Sequence, residues 1–341
     1  MRFFSGSFSK KRVILFSILA AILGLGSFMT LSVASSVLLM PILLCLLYAG
    51  GGLLPLLIGA ILCCATFSSL AGPAGALLAF LALVFPALAV AAAMLGGARY
   101  AVQLKISVAA HVGGMLLMLV LASAMTGGQL IEALVEALRQ SIAIMPKNFQ
   151  DTLLIMLYPE LSPSGAMISL SSAVRTQYLN DLFRQMTGEL SLQALPMMLQ
   201  SSLLSAGLAS YLPARALRKR GQLPEESFLP ISEWFMPGEL CAGILLTTLA
   251  SYLLTLTGTA GADTAFIAMS GILRTVFAAQ GVAAMDRMLC TSHAGTARKV
   301  LMIGAVYLLA PSLVTVAGLC SALFGRKGVI HQRKNKNLGD D

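Results

Sequence analysis

The sequence predicts an all-α, polytopic transmembrane bundle of eight or nine spans, with external amphipathic helices between spans five and six, and three observations predict it. Hydrophobic residues make up 57% of the 341, charged residues only 11%, and mean hydropathy is +0.86, far outside soluble usage. Charges are also segregated: no Asp, Glu, Lys or Arg occurs from Val13 to Ala98, a length that holds about four spans of roughly 20 residues. Those that remain sit in short clusters beside apolar runs, the arrangement that orients membrane proteins. A soluble fold, a disordered chain and a disulfide scaffold are excluded. The net charge of +9 belongs to these clusters, so nucleic acid is not an expected partner.

The first apolar run, 13–31, follows Arg2, Lys10, Lys11 and Arg12. It has the form either of a secretory signal cleaved near Ala34 or of an uncleaved first helix with its basic end in the cytoplasm, and the unbroken apolar continuation favours the second. Breaks at Gly26-Ser27, Gly50-Gly51-Gly52 and Ala71-Gly72-Pro73 separate further spans at 33–49, 52–70 and 74–96. Four crossings return the chain to the cytoplasm at Arg99 and Lys105. A fifth span covers 106–126. Residues 127–190 carry six acidic and four basic side chains, as an external segment should. The sixth span, 191–213, leads to Arg215, Arg218, Lys219 and Arg220, the densest basic cluster.

Segments at 238–258 and 264–286 are followed by Arg287, Arg298 and Lys299, again on the inside if both cross. A last segment, 300–323, contains Pro311 and would leave Arg326, Lys327, Arg333, Lys334 and Lys336 outside, against the positive-inside rule. Either one segment does not cross, with the short second and the charge-bearing eighth as candidates, or the tail is an exception. The expected organisation is an N-terminal bundle over 1–126, an external helical insertion over 127–190, a C-terminal bundle over 191–325 and a basic polar tail over 326–341. The expected location is the bacterial cytoplasmic membrane, with the N-terminus cytoplasmic.

Within the insertion, Ile131, Leu134, Leu138 and Ile142 fall on one helical face opposite Glu132, Glu136 and Arg139, and a second stripe runs through Leu170, Val174, Tyr178 and Leu182. Such helices lie in the interface or pack on span ends; the sharper reading is a lid or docking surface, with its turn at 159–163, where Pro159 and Pro163 prevent a continuous helix. Small residues four apart, Ser17/Ala21 and Ala20/Gly24, permit close helix contact inside the bundle or with another membrane subunit.

Arg274 lies deep in the eighth segment, where an arginine costs at least about 2.5 to 3.5 kcal/mol and requires protein or water around it. It is the first candidate ligand-binding residue, with structural hydrogen bonding as the competing role. Gln280 of the same segment and Gln200, Ser201, Ser202 and Ser205 of the sixth would line a polar cavity with it, although serines in such helices commonly bond their own backbone. His111 is either a proton-relay group or a packed residue. Trp234 reads as an interfacial anchor. Cys45, Cys63, Cys64, Cys241, Cys290 and Cys320 have no C-x-x-C spacing and read as small apolar residues. No phosphate-binding loop, nucleophile elbow or H-E-x-x-H helix occurs, so no catalytic residue, metal or cofactor is expected.

The run from Leu195 to Leu240, LPMMLQSSLLSAGLASYLPARALRKRGQLPEESFLPISEWFMPGEL, resembles the YybS-like family of bacterial membrane proteins: a span, a basic exit, then an aromatic segment ending in Pro before the next span. FAAQGVAAMDRM and LCSALFGRK are similar to that family's later motifs, although an acidic residue expected near the C-terminal end is missing. The family is in turn similar to the S components of energy-coupling-factor transporters, which bind a small molecule and dock to a membrane partner and ATPases. The resemblance implies a small-molecule ligand, an energising membrane subunit docked on the small-residue face of the first spans, and external helices capping the site. The expected function is therefore small-molecule binding and transport. The rival is a non-transporting scaffold, and a lipid-modifying enzyme comes third.

Overall fold

The computed structural model describes residues 9–26, 33–161, 169–222, 230–291 and 296–324; the basic tail and the residues Ser162 and Pro163 of the expected turn lie outside them. All regular elements among the described residues are helical: α1 (Lys10–Gly26), α2 (Val33–Gly51), α3 (Leu53–Ala79), α4 (Phe85–Leu95), α5 (Tyr100–Met125), α6 (Leu130–Ala143), α7 (Lys147–Leu157), α8 (Ser172–Lys219), α9 (Gly238–Leu256), α10 (Ala262–Thr291), α11 (Thr296–Leu309) and α12 (Pro311–Phe324). Four stretches are long and apolar enough to cross a membrane, Leu53–Leu95, Tyr100–Met125, Gly238–Leu256 and Ala262–Cys290, and a fifth is added if α11 and α12 form one bent span. The chain divides into two compact units, Met1–Met118 with Pro196–Asp341, and Leu119–Leu195.

In the first unit the uncharged stretch folds back on itself. Ala71 and Gly72 leave helical geometry, with Gly72 at φ +66°, which favours glycine, and Pro73 follows. A straight helix would hold Gly59 and Ala87 about 42 Å apart at 1.5 Å per residue. Yet a Cβ on Gly59 would meet Leu44 of α2 at 3.0 Å, and the neighbouring Cys45 reaches the Ala87 carbonyl at 3.7 Å. The 43-residue stretch Leu53–Leu95 is thus two antiparallel limbs that both pack on α2. A π-helical turn, Phe80–Val84, interrupts the returning limb. Gly114 of α5 lies against its Leu81 carbonyl, where a Cβ would overlap the oxygen.

Ala20 of α1 is fully buried, 3.6 Å from the Cβ position of Gly59, so this part of the small-residue face packs inside the bundle. Ile14, Leu15, Ile18 and Ile22 face outward. Lipid is as apolar as leucine, so association inside it rests on close packing rather than on exclusion of water. The α10–α12 crossing makes the same use of glycine: a Cβ on Gly318 would overlap the Phe277 carbonyl, and one on Gly281 would overlap that of Val314.

Most of the described basic residues of this unit gather at one end, with Arg274 of α10 apart from them. Arg220 donates to the Ala49 and Gly50 carbonyls at the end of α2. Gly50 and Gly51 pack on Phe16, one turn after Lys10, Lys11 and Arg12. Trp234 stacks on Tyr100, beside Arg99, and meets Tyr211, one turn before Arg215, edge-on. Arg287 donates to the Trp234 carbonyl at 3.2 Å.

The second unit has a small core of Val135, Ile142 and Phe183, flanked by Ile131, Leu179 and Met186. The inward face of α6 differs from the predicted stripe, since Leu134 and Leu138 are exposed while Ile131 and Ile142 turn inward; in and just before α8, Leu170, Val174, Tyr178 and Leu182 are all half-buried, and Leu179, Phe183 and Met186 widen that face. The reason is local. Gln150 Nε2 donates to the Ile142 and Met145 carbonyls, satisfying the open end of α6, and Arg175 forms a two-pronged pair with Asp151 at 2.6 and 2.9 Å while also donating to the Leu170 carbonyl. These polar anchors set how α7 and α8 rotate, and apolar spacing alone does not report them.

Two outcomes follow. Gly318→Ala destabilises the detergent-solubilised protein by about 2 kcal/mol through overpacking and lowers its thermal midpoint, while Gly243→Ala, whose Cβ meets nothing within 4 Å, does not lower it. In the second unit, the Arg175 guanidinium holds the Asp151 carboxyl below its ordinary value, so this contribution is complete above about pH 3.9 and is lost as pH falls through the depressed value. Amide exchange of residues 147–190 therefore rises on acidification below pH 4, and Asp151→Asn, which strands a nearly buried guanidinium, raises it already at pH 7.

Candidate functional site

Of the polar side chains predicted to share a cavity, Gln200 lies one turn of α10 from Arg274, whereas Gln280 is bonded to other partners. Gln280 is buried and spent on structure: its Oε1 accepts from the Met236 backbone N–H at 3.2 Å and its Nε2 donates to Ser321 Oγ at 3.3 Å. Ser202 and Ser205 are buried and Ser201 is half-buried on α8. Gln200 lies over Gly271, where a Cβ would overlap its amide, one turn from Arg274. Arg274 itself is exposed on α10. His111 is buried, with Nδ1 2.8 Å from the Ser107 carbonyl. That bond requires the proton on Nδ1 in the neutral ring and leaves Nε2 as a buried acceptor without a hydrogen bond. Ser107 Oγ donates to the Ala206 carbonyl at 2.8 Å, joining α5 to α8.

A cavity with a mostly apolar lining and a cluster of charged side chains lies at the basic end of the first unit. It encloses about 290 Å³ and is lined by Tyr211 and Arg215 of α8, Pro230, Ile231 and Ser232, Val282, Asp286 and Cys290 of α10, and Lys299 and Ile303 of α11. Helical spacing explains the α10 contribution: Val282, Asp286 and Cys290 are four apart and share a face. The segment before α9 is shaped by Pro230 and Pro237, which bracket a single 3-10 turn, Ile231–Glu233. Arg287 holds it in place, donating to the Trp234 carbonyl at 3.2 Å and to Ser321 Oγ at 2.7 Å, so one guanidinium joins this segment to α10 and α12. Trp234, expected as a membrane-interface anchor, is held between Tyr100 and Tyr211.

Inside the cavity Lys299 lies 3.7 Å from Asp286 and 2.8 Å from Cys290 Sγ. Two cations, Arg215 and Lys299, face one carboxylate, so the lining retains positive charge, with the Tyr211 and Ser232 hydroxyls as neutral partners. Such a set suits a carboxylate or phosphate group on a small molecule. Among the described residues no group of three His, Cys, Asp or Glu side chains is arranged to hold a metal ion. A second hollow, about 680 Å³, is almost wholly apolar and runs along the π-helical turn and α5, past Phe80, Leu81, Phe85, Ile106, Gly113 and Leu117; its chemistry is that of an acyl chain.

The family model for predicted membrane proteins with domain of unknown function DUF2232 matches residues 17–321. The chain belongs to this family. No curated protein matches it, and no solved structure does. The matched region takes in both units and every cavity residue, so the basic-end site lies wholly within what defines the DUF2232 chain.

In the sequence Arg215, Arg287 and Lys299 stand out only as markers of orientation. The pointer to a site was available in the acidic residue among them: Asp286 lies next to Arg287 and four residues before Cys290 on α10. The protein has one tryptophan, which gives a direct readout of the Arg287 clamp. Arg287→Ala frees the Trp234 segment and shifts the fluorescence emission of the folded protein to the red, whereas Arg298→Ala, at an exposed position, leaves the spectrum in place.

Proposed function

We propose that this DUF2232 protein is a multi-pass protein of the bacterial cytoplasmic membrane that binds an anionic small molecule at its cytoplasmic end, as a transporter or the membrane subunit of one. The observation that carries the binding is the cavity in which Arg215 and Lys299 outnumber Asp286. Transport is carried by the resemblance of Leu195 to Leu240 to YybS-like proteins, and through them to S components of energy-coupling-factor transporters, where a partner subunit supplies energy.

Eight crossings suit this reading, with the N-terminus and the basic end in the cytoplasm. The limbs on either side of Ala71 and Gly72 count as two, and the α11–α12 pair, bent by 106°, counts as a re-entrant loop. Its first turns carry Lys299 beside Asp286 and its last turn carries Ser321 beside Arg287, both at the basic end. The chain then leaves α12 on the cytoplasmic side, which removes the conflict with the five basic residues of the tail. Residues 127–190 are external by the same parity.

The scaffold reading has one observation in its favour, the outward leucines of α9, Leu246, Leu249 and Leu253. Native mass spectrometry of the purified protein in mild detergent separates the two. A co-purifying anion carried by the wild type and lost in Arg215→Gln and Lys299→Gln is the expected result. Wild type that carries no small molecule and instead retains stoichiometric protein partners would establish the scaffold.

A further inference from the structure

Arg274 lies about midway along α10, one of the helices long and apolar enough to cross a membrane, with its charge unanswered among the described residues. α9 and α10 are antiparallel neighbours joined by a short turn, and two contacts fix their register: the Tyr252 and Phe266 rings lie 5.4 Å apart, and Ile244 and Phe277 share one buried cluster. Arg274 falls between these levels, opposite the middle of α9 near Thr247, and about 18 Å along α10 from Ala262. It is exposed, and among the described residues no carboxylate is paired with it and no acceptor takes its hydrogen bonds. Gln200, one turn away over Gly271, is neutral.

Arg274 lines neither cavity described above, so an outward guanidinium at this depth is left with three sources of countercharge. A headgroup phosphate is about 15 Å away, half the hydrocarbon thickness, beyond the reach of the side chain. Among the described residues a second copy of this chain offers no carboxylate at this level, because acidic residues of the apolar helices occur only toward their ends: Glu239 and Asp263 in first turns and Asp286 at the basic end. The remaining source is another protein. The ground around Arg274 suits one, since α9 turns Leu246, Leu249 and Leu253 outward beside it. We propose that the outward face of α9 and α10 docks a transmembrane helix of a different protein that carries an aspartate or glutamate near its midpoint. The pairing fixes the partner's depth as well as its identity, because the carboxylate must stand level with Arg274. None of this depends on the anion cavity.

The test uses full-length protein in phosphatidylcholine vesicles at pH 8, with energy transfer to a leucine-rich single-span reporter helix bearing Asp, Asn or Leu at its centre. The Asp helix associates about fivefold more strongly than the Leu helix, a coupling in the range seen for polar pairs in membranes. Arg274→Gln abolishes that preference, and Arg274→Lys retains part of it, which separates loss of charge from loss of fold. A wild type that does not distinguish Asp from Leu, or an Arg274→Gln variant that keeps the preference, overturns the proposal. Equal association of the Asn and Asp helices also overturns it, since Gln200 would then account for binding. A self-association that Arg274→Gln abolishes would assign the face to a second copy instead.

Discussion

Charge is kept out of the hydrocarbon, and the first unit is arranged around that constraint. A chain with no carboxylate, ammonium or guanidinium from Val13 to Ala98 can stack four apolar limbs with little to satisfy beyond its backbone, which helices satisfy internally, and a few hydroxyls such as that of Thr66, which bonds the Leu62 carbonyl. What remains is to bring those limbs close. Because lipid competes for every apolar contact, closeness comes from glycine and alanine at the crossings: Gly59 against Leu44, Gly114 against the Leu81 carbonyl, and Gly318 against that of Phe277.

The same constraint explains why the polar chemistry collects at one end. Arg220 caps the α2 carbonyls, Arg287 joins three segments, and Lys299 pairs with Asp286, all within reach of the Trp234 cluster. At a membrane boundary each cation can hold protein atoms on one side and stay hydrated on the other. Arg274 breaks the rule, and a residue that breaks it inside an otherwise consistent bundle points to something beyond the single chain.

The second unit is stabilised differently. It is amphipathic, and its core of Val135, Ile142 and Phe183 is small, so buried polar bonds carry much of the specification. Asp151 with Arg175, and Gln150 with the end of α6, determine how the helices rotate against one another. The Arg139 guanidinium, 5.0 Å over the Phe183 ring, closes the same core with a charged group. Leu134 and Leu138 are left outside, although the apolar period alone would have buried them.

Composition, charge segregation and the break residues determined by themselves that this is an all-helical membrane protein, that the chain turns at Ala71 and Gly72, and that basic residues share one end. Those properties depend on transfer free energy and local backbone preference, which are additive along a chain. Which side chains meet was decided only in three dimensions. Gln280 met Met236 and Ser321, and Asp286 met Lys299 across a segment boundary. Hydrogen bonds and ion pairs of this kind require an atomic distance and angle set by the crossing of two helices, and no spacing within one helix contains that information.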